Sequence, residues 1–255
     1  MFEFGKNWES FSRSALDEDS VREAEASLRH LLGVEDLRGK SFLDVGCGSG
    51  LFSVAAARLG ADPVVGTDVD PRCITVAAGN TSKFAGNAPP PRFQVLSVLD
   101  ADGVRGLGLY DIVYAWGALH HTGRMWDAVL NAAQCAAPRG LFAIAIYNKH
   151  ATSPAWRMIK KVYNIAPGPL KALMIYFFTG VIFVAKALVT RRNPLAQRRG
   201  MNFFHDVVDW VGGYPYEYAS LDEIVNFVER LGFRTINTVP AQVPTGCNEF
   251  VFEKI

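Results

Sequence analysis

The run Phe42-Leu43-Asp44-Val45-Gly46-Cys47-Gly48-Ser49-Gly50 constrains this chain more than any other, because a short apolar stretch leads into an acid and then three glycines at alternate positions. An apolar run of that length suits a buried strand. The glycines let the backbone turn sharply at the strand's C-terminal end, with no Cβ to hold a small ligand away from the main chain. Leu51 to Leu59 follows at helical spacing, so the loop's N–H groups and a helix N-terminus face one crevice. The dinucleotide fingerprint requires Gly-x-Gly-x-x-Gly, whereas the residue three past Gly48 is Leu51 and the third glycine is Gly50. This spacing argues against a nicotinamide enzyme.

Strand-like and helix-like segments alternate through the first 150 residues. A leading helix over 14–32, with Val21, Ala24, Leu28, Leu31 and Leu32 on one side, is stopped by Gly33. Strands are expected at 41–45, 63–68, 92–96, 110–116 and 140–147, with helices at 49–59, 71–78 and 126–136. That order predicts an α/β fold with a doubly wound parallel sheet. After Asn148 the alternation stops for about seventy residues. A helix over 220–231 and strands at 234–239 and 249–253 then close the chain.

At 255 residues, 49% hydrophobic and net charge +1, the chain suits one α/β domain with an added lobe. Its four cysteines, Cys47, Cys73, Cys135 and Cys247, form no Cys-x-x-Cys pair, so neither a metal site nor a disulfide framework is expected. A reducing, cytoplasmic setting fits them. The N-terminus lacks the basic-then-apolar layout of a signal peptide.

The glycine run, with its acid two residues before the first glycine, resembles motif I of class I S-adenosylmethionine-dependent methyltransferases. The resemblance covers about 40–150 and 220–255, and implies a Rossmann-like seven-stranded sheet that binds S-adenosyl-L-methionine. The organisation it implies is an N-terminal helical flap over 1–39, a cofactor-binding core over 40–150, an insertion or lid over 151–219 and closing elements over 220–255.

The cofactor's ammonium, ribose diol and adenine each need a polar partner. Asp44, Gly46, Cys47, Gly48 and Gly50 form the loop, and Asp44 is the candidate for the ammonium. Asp68, followed by Val69 at the end of strand two, is the candidate for the ribose hydroxyls, since Asp70 before Pro71 is the better helix cap. Leu99 and Asp100 after strand three are candidates for the adenine edge, against an ordinary turn aspartate. Trp116 offers a π-face to the purine or sulfonium, against simple core packing. Trp8 and Phe11 suit either a flap over the cofactor or a staple on the core.

The loop Ala118-Leu119-His120-His121-Thr122-Gly123 is similar to the Leu-His-His loop of ubiquinone-biosynthesis-type O-methyltransferases. His120 and His121, with Tyr147 at the end of strand five, are the candidate catalytic groups; structural roles for both histidines remain the alternative. Asn148, His205, Asp206, Tyr214 and Glu217 are candidate substrate contacts, against an aromatic plug that fastens the insertion to the sheet. Tyr147-Asn148 is not the Asn/Asp-Pro-Pro-Tyr motif of amine methylators, so no nucleic-acid partner is expected.

Between Asp127 and Asp206 there is no acidic residue, while cations recur from Arg139 to Arg199. Within that stretch lies the apolar run Leu170 to Val189. Its uncharged core, Ala172–Ala185, spans 14 residues, short of the roughly 18 expected of a membrane span. A lid, a homodimer contact and peripheral membrane attachment through 170–199 all fit it. The expected function is methyl transfer to a small-molecule acceptor through an oxygen nucleophile. The alternatives are a lipid-linked or quinone-like acceptor at a membrane surface and a non-catalytic cofactor-binding protein.

Overall fold

A computed structural model describes residues 4–191, 203–244 and 246–255. Seven strands form one sheet: β1 (Phe42–Val45), β2 (Val64–Asp68), β3 (Arg92–Val95), β4 (Tyr110–Trp116), β5 (Ala136–Tyr147), β6 (Phe233–Val239) and β7 (Cys247–Lys254). Their order is β3-β2-β1-β4-β5-β7-β6, with β7 antiparallel between β5 and β6 and the others parallel. The order reverses beside β1, so the crevice for a ligand opens at the C-terminal ends of β1 and β4.

Helices cover both faces, as a buried parallel sheet requires. On one face α2 (Glu18–Leu32) and α3 (Leu51–Arg58) pack Leu28, Leu31 and Val54 against Phe42 and Tyr114. On the other, α6 (Met125–Gln134) and α10 (Leu221–Glu229) pack Val129 and Ile224 against Val113 and Phe250. Local signals end several helices. Asp17 caps α2 by accepting from the Ser20 N–H at 2.8 Å, and Gly33 closes it in the left-handed conformation. Asp70 caps α4 (Pro71–Phe84), with Pro71 in the first turn. Ser220 and Glu223 form a capping box on α10.

The structure departs from the sequence expectations in four places. The leading helix, α2, starts at Glu18 after the Asp17 cap and not at residue 14, and a further helix, α1 (Phe4–Ser14), precedes it and carries Trp8 and Phe11. Helix α4 continues to Phe84, since nothing at Ala78 breaks it. Asp100 starts a short helix, α5 (Ala101–Arg105). Residues 203–212, expected to be loop, form α9 (Phe203–Gly212), because Phe203, Val207 and Val211 recur on one face and seal a small core with Tyr163 and Ile175.

The remaining insertion helices are α7 (Ser153–Ile165) and α8 (Gly168–Thr190). Helix α8 runs 23 residues, further than its uncharged core suggests. With α9 they form a layer beyond the C-terminal end of β5. Arg192, Arg198 and Arg199 of the basic stretch lie outside the described residues, as does the Asp206 side chain.

Candidate functional site

The glycine loop is held by contacts that require its glycines. Gly46 has φ +73°, and a Cβ there would overlap the Ala118 side chain. Gly48 has φ +54°, and a Cβ there would come within 2.8 Å of the Trp8 indole. Trp8 of α1 therefore lies directly on the loop. The same helix reaches the insertion. Asn7 Nδ2 donates to Asp209 Oδ1 at 2.8 Å and to the His205 carbonyl at 3.2 Å.

Two carboxylates organise the loop. Asp44 is buried and accepts from Ser53 Oγ at 2.7 Å; burial pushes its carboxyl up to about 7, against the pull of that hydrogen bond. Asp68 accepts from the Gly48 N–H at 3.0 Å and the Asp70 N–H at 2.9 Å, and burial raises its carboxyl too. Asp68 thus orders the loop at the end of β2. Val69, beside it, is 66% exposed, an apolar platform at the sheet's edge. Asp100 accepts from the Gly103 N–H at 3.1 Å as the cap of α5, and the Leu99 N–H donates to Ser97 Oγ.

A cavity of about 400 Å³ runs from this loop to the insertion. Asp44, Gly46, Cys47 and Ser49 line one end, Trp156, Val207 and Trp210 the other, and Trp116, His120, His121 and Tyr147 lie between them. Trp116 also donates from Nε1 to Glu249 Oε1 at 3.2 Å. Asp68, Val69, Leu99 and Asp100 are not in its wall.

The two histidines differ. His121 Nδ1 lies 2.7 Å from the Pro215 carbonyl, which only accepts, so Nδ1 carries the proton and Nε2 is the ring's acceptor. Burial, reinforced by the Lys160 charge, pulls its imidazolium down to about 3. His120 is fully buried, and neither ring nitrogen makes a well-formed hydrogen bond among the described residues, the nearest polar neighbour being the Ala145 backbone. Burial, then the neighbouring His121 and Lys160, keep it neutral. A wholly buried imidazole without a well-formed hydrogen bond costs about 1–3 kcal/mol. One that also lines a cavity is set to meet a polar group there. Tyr147 packs on His120 with ring centroids 4.1 Å apart.

Lys160 on α7 carries a role the sequence did not suggest. Its fully buried ammonium donates to the Trp210 carbonyl and sits over the rings of Tyr216 at 4.7 Å, Trp210 at 4.8 Å and Tyr147 at 5.4 Å. Burial draws it down to about 7, opposed by Asp209. Trp156 packs edge-on to Trp210 at 4.0 Å, so one cluster ties the end of β5 to the insertion.

The expected substrate contacts are engaged by other parts of the chain. Glu217 accepts from the Met125 N–H at 3.1 Å and caps α6, because that helix start has no side-chain cap of its own. His205 packs edge-on to Phe11, with Nε2 3.2 Å from Ser10 Oγ, and so fastens α9 to α1. Asn148 donates to the Pro244 carbonyl at 2.9 Å and accepts from Asn248, latching the loop whose Val243, Pro244 and Cys247 do line the cavity. Tyr214 is half-buried and is not part of the cavity wall. The plug reading holds for His205, while Trp156, Trp210, Val181 and Ile182 form the wall.

Residues 25–118 match the family model of ribosomal protein L11 methyltransferase (PrmA). A ribosomal protein L11 methyltransferase from Polynucleobacter necessarius subsp. necessarius is 42% identical over 31% of this chain and 23% of its own length. A ubiquinone biosynthesis O-methyltransferase from Methylobacterium sp. (strain 4-46) is 35% identical over 53% of this chain and 52% of its own length. The chain thus spans about half or less of these curated relatives. The crystal structure of magnesium protoporphyrin IX methyltransferase (ChlM) from Synechocystis PCC 6803 with bound SAH superposes with a TM-score of 0.58 at 15% identity, covering 92% of this chain and 83% of that one. The chain is thus similar to S-adenosylmethionine-dependent methyltransferases in sequence over part of its length and in fold over most of it.

Proposed function

We propose that this protein is an S-adenosylmethionine-dependent methyltransferase whose acceptor is a small, largely apolar molecule bearing a hydroxyl group. One observation carries the reading: a single cavity joins the glycine-loop wall at Asp44 and Gly46 to the aromatic wall at Trp156 and Trp210, and a neutral histidine without a well-formed hydrogen bond lies between them. The relative that names a ubiquinone O-methyltransferase matches across about half of the chain and supports the oxygen nucleophile.

The residues fit the cofactor. Asp44, at the loop end of the cavity, suits the ammonium, the glycine backbone admits close approach, and Trp8 closes over it. Asp68 holds the loop's shape through the Gly48 N–H and remains the candidate for the ribose hydroxyls. When bound, the sulfonium supplies an electrophilic methyl group, and S-adenosylhomocysteine is the second product. This chain supplies alignment and proton removal. The aromatic wall excludes water and orients the acceptor; the His120 ring accepts the hydroxyl proton as the oxygen bonds to carbon, then returns it to solvent. His121, fixed by Pro215, holds His120 in place from the adjacent position.

The test is transfer of labelled methyl from S-adenosylmethionine to a panel of hydroxylated aromatic and prenylated acceptors. Acceptor-dependent formation of S-adenosylhomocysteine is the expected result. Binding of the cofactor without turnover on any acceptor would move the reading to a non-catalytic cofactor-binding protein.

A further inference from the structure

Helix α8 is apolar around most of its circumference, and only one side of it is used inside the protein. Met174, Ile175, Phe178 and Ile182 pack against α7 and α9. Leu173, Tyr176, Phe177, Val184 and Leu188 recur at helical spacing on the other side, and each is more than half exposed. Exposed apolar surface this continuous marks an interaction site. On α7, Met158, Val162 and Ile165 add a second exposed stripe.

Two observations say what covers it. The first is charge: α7 and α8 contain no acidic residue, whereas the exposed Lys161 and Arg191 and the half-buried Lys171 stand near the helix ends. An apolar side bounded by cations matches an interface with anionic headgroups. The second is continuity with the cavity. Val181 lines the cavity and is also 43% exposed, so the rim of the pocket and the apolar side of α8 meet at one residue.

We propose that the exposed side of α8 is a docking surface for an anionic lipid bilayer, on which the protein lies without crossing it. The segment Gly168–Ala185 is long and apolar enough to span, with mean hydropathy 1.7. Spanning would strip Ile175 and Phe178 from the small core and Val181, Ile182 and Ala185 from the cavity wall. Lying flat keeps both and places the cavity rim at the membrane surface, where an apolar acceptor partitions. The inference extends the function proposed above but does not need it, because the lipid contact is read without any acceptor.

The experiment is flotation of the full chain with vesicles of equal phosphatidylglycerol and phosphatidylcholine, beside vesicles of phosphatidylcholine alone. Leu173→Glu with Phe177→Glu, both solvent-facing and outside the cavity wall, is the docking variant; Lys161→Gln with Arg191→Gln is the charge variant. Expected are flotation with the anionic vesicles, loss of at least tenfold in bound fraction for the docking variant, a smaller loss for the charge variant, and release by high salt or carbonate. Equal melting temperatures and equal S-adenosylhomocysteine affinity in the docking variant separate surface loss from misfolding and from failure of the cofactor reading. No flotation, flotation indifferent to the docking variant, resistance to carbonate, or a dimer in sedimentation that the docking variant dissociates would each overturn the proposal.

Discussion

The glycine loop after β1 and the helical layer α7–α9 face each other across one cavity, yet opposite kinds of residue build them. The loop side is backbone, small side chains and two carboxylates, fixed by contacts such as Gly48 N–H to Asp68 and Ser53 to Asp44. The insertion side is tryptophan, tyrosine and one buried lysine, fixed by ring packing and cation–π contacts. One side suits a polar, charged ligand recognised by hydrogen bonds. The other suits an apolar ligand recognised by shape. Their meeting point is at His120 and Tyr147, where the proposed transfer would take place.

If that division is real, damage to each side separates in the readout. The largest effect is expected from Gly46→Ala. A left-handed backbone and an overlap with Ala118 together cost about 3 kcal/mol, which weakens S-adenosylhomocysteine binding more than about a hundredfold in calorimetry. Next is His120→Asn, which should lower kcat by about a hundredfold while leaving S-adenosylhomocysteine affinity unchanged; a parallel loss of affinity would break the division. Asp68→Asn removes a charged acceptor from two backbone N–H groups and should cost about 1.5 kcal/mol of cofactor affinity, with the acceptor KM unmoved.

A further effect, on stability and not on binding, is a pH slope. His121 stays neutral in the fold down to about 3 but titrates near its ordinary value when unfolded. Its contribution to stability is therefore complete above about pH 6.5 and is lost progressively as pH falls toward 3. Melting curves of His121→Gln should fall less steeply than those of the parent between pH 7 and pH 5, by about 2 kcal/mol.

The same division explains what the sequence disclosed. The loop is legible because its determinants are consecutive: glycines, acid and helix start lie within ten residues, and Asp70-Pro71 marks its own cap. All seven strands are recognisable from apolar runs, with ends shifted by a few residues. The insertion is not legible in the same way. Glu217, His205 and Asn148 are polar residues near a pocket, but each is consumed by a distant partner: the α6 start, α1 and the 241–248 loop. Only the folded chain reveals those partners. Lys160 was hidden for the converse reason, since a lysine in a basic stretch reads as solvated until Trp210, Tyr216 and Tyr147 close around it. Helix α9 carried a helical spacing at Phe203, Val207 and Val211, a signal masked by the surrounding His, Asp and Gly residues.

The central claim is that the glycine loop is a cradle for S-adenosylmethionine and opens into a separate acceptor pocket. Calorimetric titration of the full chain with S-adenosylhomocysteine, with NADH in parallel, tests it most directly. Saturable one-to-one binding of S-adenosylhomocysteine at micromolar or tighter affinity, absent in Gly46→Ala and absent for NADH, is the predicted result. A folded protein that binds neither ligand, or binds NADH instead, would contradict it.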